Sequence, residues 1–134
     1  MDQELLAAAR AIRRRAYAPY SRFKVGAALR DEKGRTHVGC NVENAAYPLG
    51  SCAEAGAISA MIAAGGKRFQ AVAIVGNGSE PCAPCGGCRQ RLYEFGQAGA
   101  VVTLAGASSR RSISQQLVEL LPLAFGPHNL EATE

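Results

Sequence analysis

The sequence predicts a three-layer α/β/α sandwich built on one mixed β-sheet. Helical and strand patterns follow one another along the chain in the order α-β-β-α-β-α-β-α. The two later strands are separated by a helical segment, which is typical of parallel strands joined by a crossover. The chain has 134 residues, a length that suits one domain, and 48% of them are apolar, which indicates a packed core rather than disorder.

The first half of the chain supplies a helix, a hairpin and a second helix. Residues 3–16 are rich in strong helix formers and predict the first helix. Residues 23–29 alternate between apolar and other side chains, and residues 36–42 form the return strand after a glycine-containing turn. Residues 52–64 predict a helix of small side chains, which a pair of glycines ends.

The second half alternates strands with helices. Residues 71–75 and 100–104 are short apolar runs and predict two buried strands. Residues 85–95 start with glycines and continue as a helix between these strands. Residues 113–121 predict a short final helix, which Pro122 ends.

Composition and charge exclude several classes of function. No segment approaches the roughly 20 apolar residues of a membrane span, and the acidic start lacks the features of a signal peptide. We therefore expect a cytoplasmic protein without a membrane partner. The net charge is +4, but the basic clusters, such as those at 13–15 and 110–111, are short. A nucleic-acid partner is not expected, because such surfaces usually combine a broad basic face with stacking aromatics.

The cysteines indicate a metal site. Cys85 and Cys88 form a C-x-x-C motif where a helix begins. Two thiolates at this spacing can bind one ion, and zinc suits them best, because the helix N-terminus offsets part of their charge. A redox pair, half of a structural zinc site or a chance spacing would also produce this motif alone.

A second element, Cys52-Ala53-Glu54, opens the preceding predicted helix. If Cys52 lies at the helix start, two helix N-termini converge on one metal with three protein ligands and one open position, which is the catalytic arrangement. Zinc lowers the pKa of a bound water, and Glu54 is then a carboxylate placed to carry protons. The alternative is that Ser51 and Glu54 form a capping box.

Cys82 leaves the ligand set open, because 82/85 and 85/88 have the same spacing. We favour Cys85 and Cys88, since the glycines between them permit close approach to the metal. In the alternative, Cys82 is the fourth ligand of a structural site. Cys40 lies on a predicted strand and is interpreted as a packed thiol.

Four segments together resemble the small, homotetrameric, three-cysteine cytidine deaminases. They are AYAPYSRFKVGAAL at 16–29, GCNVENAAYPLGSCAE at 39–54, PCGGCRQ at 84–90 and ELLPLAF at 119–125. The resemblance implies one zinc-dependent deaminase domain over residues 1–134, with one Zn²⁺ per subunit. It implies hydrolysis of cytidine or deoxycytidine to the uridine form plus ammonia, in pyrimidine salvage, with Glu54 as the proton carrier.

The resemblance also implies substrate contacts. Asn41 and Glu43 would hold the ribose from one face of a strand, and Phe23 would pack on the pyrimidine. Ala53 and Tyr47 match further substrate-binding positions. Phe125 matches a phenylalanine that reaches into a neighbouring subunit's site, so the expected assembly is a homotetramer with its sites at subunit interfaces.

One position departs from the family pattern. Many relatives carry arginine directly after the catalytic glutamate, where it offsets the charge of three thiolates, and this chain has Ala55. Helix dipoles and either Arg89 or Arg91 are the candidate replacements. The departure motivates two alternatives: a deaminase of another aminated pyrimidine nucleoside, of the blasticidin kind, and a zinc-stabilised binding module without catalysis.

Overall fold

A computed structural model describes residues 2–109 and 111–131 of the chain, so Arg110 of the second basic pair lies outside it. The described strands are β1 (Gly26–Asp31), β2 (Thr36–Cys40), β3 (Phe69–Gly76), β4 (Gly96–Gly106) and β5 (Ser112–Gln116). The described α-helices are α1 (Gln3–Arg13), α2 (Ala53–Ala63), α3 (Gly86–Phe95), α4 (Leu117–Leu120) and α5 (Pro127–Leu130). None of these helices is long and apolar enough to cross a membrane.

The strands form one mixed sheet in the order β2-β1-β3-β4-β5. β1 pairs antiparallel with both β2 and β3, whereas β3 and β4 are parallel and α3 connects them. Since β3 runs parallel to β4, their carboxyl ends meet at Gly76 and Gly106. α3 therefore begins just beyond this edge, where ligands bind in many open α/β sheets.

Two apolar clusters cover the two faces of the sheet, which confirms the predicted three layers. On one face, Leu5 and Leu6 of α1 pack with Ala73 and Val75 of β3. On the other face, α2 and α3 pack against residues of β1, β3 and β4 that include Phe69. The alternation of side chains along β3 thus places α1 opposite the helices that carry the cysteines.

A close contact fixes α2 against β2. Gly39 lies so near the helix that a Cβ there would be 2.3 Å from the Ala57 nitrogen and 2.4 Å from the Ala53 oxygen. Only glycine permits this approach, because both neighbours are backbone atoms. The first turn of α2, which carries Glu54, is consequently positioned by the strand beneath it.

The turn between β1 and β2 is organised by a buried carboxylate. Asp31 is fully buried and accepts hydrogen bonds from the backbone N–H groups of Lys33 and Arg35, from the Arg35 side chain at 2.9 Å and from His37 Nε2 at 2.7 Å. Burial acts to raise the pKa of Asp31, but these hydrogen bonds outweigh it and hold the pKa well below its ordinary value. The ionised form of Asp31 therefore stabilises the hairpin.

The structure corrects three predicted elements. The strand expected over 23–29 runs instead over Gly26–Asp31. The helix expected over 113–121 is instead strand β5 followed by the single turn α4, because Ser112–Gln116 pairs antiparallel with β4. The return strand expected over 36–42 ends at Cys40. Beyond it, Val42 makes only isolated bridges to Tyr17 and Ser51.

Candidate active site and metal centre

Cys52 and Cys85 are the N-cap residues of α2 and α3. Both have extended backbone conformations, and neither uses its side chain to cap its helix. The capping box considered for Ser51 is therefore wrong, because the helix begins one residue later than that motif requires. Two helix N-termini converge on the same place, as expected from the spacing.

The sulfur atoms of Cys52, Cys85 and Cys88 lie within 4.8 Å of one another. Sulfurs around a tetrahedral zinc ion are about 3.8 Å apart, given Zn–S bonds of about 2.3 Å. The cluster therefore has the dimensions of a site for one zinc ion. Cys82 is not a member of this cluster, so the described residues supply three thiolates and leave the fourth position to water or substrate.

The surroundings of the thiols affect their protonation in opposite directions. The backbone N–H groups of Cys88 and Gly87, in the first turn of α3, lie near the Cys85 thiol and lower its pKa. Burial raises the pKa of Cys52 and places that of Cys88 well above its ordinary value. Metal binding must consequently release protons from these two thiols.

Glu54 is a buried carboxylate in the first turn of α2, with 4% of its surface exposed. Burial raises the pKa of Glu54, and the positive charge of Arg91 opposes this shift. Arg91 also acts on Cys52, and its position three residues after Cys88 puts it on the same face of α3. Arg89 is occupied elsewhere, since it donates to the carbonyl oxygens of Pro84 and Leu120. Of the two candidate replacements for an arginine at Ala55, the structure favours Arg91.

A cavity of about 360 Å³ opens beside the sulfur cluster. Nearly all of the predicted site residues line it: Phe23, Asn41, Glu43, Tyr47, Cys52, Ala53, Glu54, Cys85 and Cys88. Its volume lies within the range of small-molecule sites, and it combines apolar walls with a few convergent polar groups. The arrangement can hold a small heterocycle with one end at the metal position.

Asn41 and Glu43 also build the walls of this cavity. Asn41 accepts a hydrogen bond from the Val25 N–H and donates one to the Phe23 carbonyl oxygen, both at 2.8 Å. Glu43 accepts from the Ser21 hydroxyl and from the backbone N–H groups of Tyr20 and Ser21. These bonds, the Ser21 hydroxyl foremost, lower the pKa of Glu43, so this side of the cavity is anionic. The amide and the carboxylate each keep capacity for a ligand.

Phe125 does not line the cavity of its own chain. Its side chain is 57% exposed, and its backbone carbonyl oxygen accepts a hydrogen bond from Gln90 at 2.9 Å. Val25 and Cys82 also line the cavity, although neither was predicted to do so. No sequence pattern pointed to Val25, whereas Cys82 was considered only as an alternative metal ligand.

Comparison with known proteins agrees with this geometry. The model of the cytidine and deoxycytidylate deaminase zinc-binding region matches residues 1–105. A cytidine deaminase of Sporosarcina psychrophila is 41% identical over 132 residues, covering 97% of this chain and 96% of its own. One from Mycobacterium tuberculosis strain H37Rv is 43% identical over 115 residues, covering 86% and 82%.

Solved structures show the same similarity. The crystal structure of a cytidine deaminase from Burkholderia pseudomallei has a TM-score of 0.87 and 45% identity, covering 93% of this chain and all of that one. The structure of the Mycobacterium tuberculosis enzyme has a TM-score of 0.79 and 40% identity, covering 92% and 95%. With the family model matched over most of its length, the chain belongs to the zinc-binding cytidine and deoxycytidylate deaminases.

Proposed function

We propose that this chain hydrolyses cytidine or deoxycytidine to uridine or deoxyuridine plus ammonia, as a single deaminase domain of pyrimidine salvage. The observation that carries the proposal is the buried carboxylate of Glu54 beside the cluster of Cys52, Cys85 and Cys88, at the base of a nucleoside-sized cavity. The relatives named as cytidine deaminases support the same substrate class.

In this proposal the three cysteines would hold one zinc ion, which when bound would lower the pKa of water so that water can attack C4 of the pyrimidine near neutral pH. Glu54 accepts a proton from the attacking water and delivers protons to N3 and to the amine leaving from C4. The burial of Glu54 suits this role in proton transfer, because a carboxylate with a raised pKa both accepts and returns protons readily. One water is consumed and one ammonia leaves.

The charge around the cavity favours a nucleoside over a nucleotide. Glu43 lines both the cavity and the adjoining cleft, whose other lining residues are Tyr20, Ser21, Asn44, Tyr47 and Gly50. None of these is lysine or arginine, and the ionised Glu43 repels a phosphate group. We therefore expect turnover of cytidine and deoxycytidine to exceed that of their 5′-phosphates.

Exposed apolar side chains support a homotetramer with sites at subunit interfaces. Tyr47 and Leu49 beside the cleft are 78% and 71% exposed, and Leu123 and Phe125 are exposed near the end of the described chain. Such side chains favour burial against a second copy. Light scattering of the purified protein should give a tetramer, and Phe125→Ala should lower kcat/KM without loss of zinc; a fully active monomer would contradict this assembly.

We also infer a cytoplasmic location, since all five cysteines are free thiols. A cluster of reduced thiols is typical of proteins kept in a reducing compartment. Spontaneous oxidation of the metal-free protein to disulfides at cytosolic glutathione potential would argue against it.

The test of the reaction is the loss of cytidine absorbance with wild type, Glu54→Gln and Glu54→Asp. Glu54→Gln keeps the shape of the side chain but cannot accept the proton, so kcat should fall by about 10²- to 10⁴-fold. Zinc content should stay at one per chain in all three proteins. Wild-type kcat in Glu54→Gln would remove the proposed role of this carboxylate.

A further inference from the structure

We propose that Cys82 determines which substituents the site accepts at C5 of the pyrimidine ring. The inference rests on the proposed deaminase function and concerns a thiol that lies outside the three-sulfur cluster. Cys82 is a half-buried residue of the loop before α3, and it lines the cavity.

The backbone of β3 packs directly against Cys82. A Cβ on Gly76 would lie 2.6 Å from the Cys82 Cβ and 2.7 Å from its Sγ, so glycine is what lets the two segments meet. The Cys82 N–H also donates to the Ala105 carbonyl oxygen, at 3.4 Å. Gly76 leaves no space toward the sheet for a larger side chain at position 82, so we expect such a side chain to reduce the space in the cavity that Cys82 lines.

Phe23 and Cys82 lie side by side in one wall of the cavity. A Cβ on Gly76 would also lie 3.3 Å from the Phe23 ring atom Cε1. The Phe23 ring and the Cys82 thiol therefore both lie next to Gly76. Burial raises the pKa of the Cys82 thiol, and the nearby charge of Glu54 adds to this effect. The thiol is therefore neutral and acts as a small, largely apolar surface.

The groups that serve C4 and N3 decide which edge of the pyrimidine ring faces the wall formed by Cys82 and Phe23. C4 must lie at the sulfur cluster, and its two ring neighbours are N3 and C5. Glu54, which reaches the cavity from α2, is the group that serves N3 in the proposed reaction. Cys82 reaches the cavity from a different element, the loop before α3, and lies beside the Phe23 ring. Since Glu54 takes the N3 edge, we assign this wall to the remaining C5 edge.

The experiment compares kcat/KM for cytidine and 5-methylcytidine in wild type, Cys82→Ala and Cys82→Val. The electronic effect of the methyl group is the same for every variant, so changes in the ratio of the two kcat/KM values report the pocket. One methyl group in an apolar pocket changes discrimination by about tenfold or more. We expect the ratio of 5-methylcytidine to cytidine to rise about tenfold in Cys82→Ala and to fall about tenfold in Cys82→Val.

Cys40→Ala is the matched control, because Cys40 is also a partly buried free thiol but does not line the cavity. It should leave the ratio unchanged. Zinc content and melting temperature are measured for each variant, and Cys82→Ala alone suffices if Cys82→Val does not fold. Retained zinc in Cys82→Ala is expected.

Three results would overturn the inference, and they have different meanings. An unchanged ratio in Cys82→Ala, with wild type active on cytidine, means that C5 faces another wall. Loss of zinc in Cys82→Ala means that this thiol is a metal ligand. Absence of cytidine turnover by zinc-loaded wild type refutes the deaminase function itself, and the inference fails with it.

Discussion

Gly39→Ala tests whether β2 positions the catalytic end of α2. The new Cβ would lie 2.3 Å from the Ala57 nitrogen and 2.4 Å from the Ala53 oxygen, both of them backbone atoms. Restoring an ordinary contact of 3.4 Å requires the helix and strand to separate by about 1.1 Å. Overpacking of this kind costs about 1–3 kcal/mol of stability, and a 1 Å misplacement of catalytic groups costs about 10²-fold in rate.

The assay measures kcat/KM for cytidine, zinc content and urea unfolding of the same preparations. Gly39→Ala should lose about 10²-fold in kcat/KM and hold zinc less tightly, since Cys52 and Glu54 move with the helix. Gly34→Ala is the control: its φ of +82° makes alanine strained, at a cost of about 1 kcal/mol, but nothing lies within 4 Å of the new Cβ. Wild-type zinc content and kcat/KM in Gly39→Ala would refute the reasoning.

Three further predictions concern charge. The lowered pKa of Asp31 means that its contribution to stability is complete above pH about 4 and declines as pH falls toward the folded-state pKa. Urea unfolding should show this acid loss in wild type and a smaller loss in Asp31→Asn; equal slopes would contradict it. Arg91→Ala should weaken zinc binding by about fivefold, equivalent to about 1 kcal/mol for an exposed charge, and Arg91→Lys should restore the affinity. Competition with a chelator measures zinc affinity in both variants. Unchanged affinity in Arg91→Ala would show that Arg91 does not compensate the thiolate charge. Ser21→Ala removes a donor to Glu43 and should raise KM for cytidine severalfold with little change in kcat, whereas a loss confined to kcat would place Glu43 in the chemistry.

Local spacing explains why so much of the candidate site could be predicted. A thiol at the N-cap of a helix and another three residues later meet through the geometry of the first helical turn, so Cys85 and Cys88 depend on little else. Cys52 and Glu54 required only that a helix begin at Cys52, as it does. The fold layers followed similarly from apolar runs that are buried on both sides.

Features set by tertiary contacts could not be predicted. β5 is an edge strand whose side chains are mostly exposed, so Ile113 and Leu117 matched a helical period as well as a strand. Pairing with β4 decided the outcome. The place of Cys82 likewise depends on its contact with Gly76, a residue on a different element. The effect of the Arg91 charge on the pKa of Cys52 depends on how α3 lies beside α2.

Deamination in ¹⁸O-labelled water tests the central claim most directly. Zinc-loaded wild type should convert cytidine to uridine with one labelled oxygen at C4 and release one ammonia per turnover, because water attacks that carbon. Glu54→Gln should form this product at least about 10² times more slowly. Uridine without the label, or unchanged cytidine in the presence of bound zinc, would contradict the account.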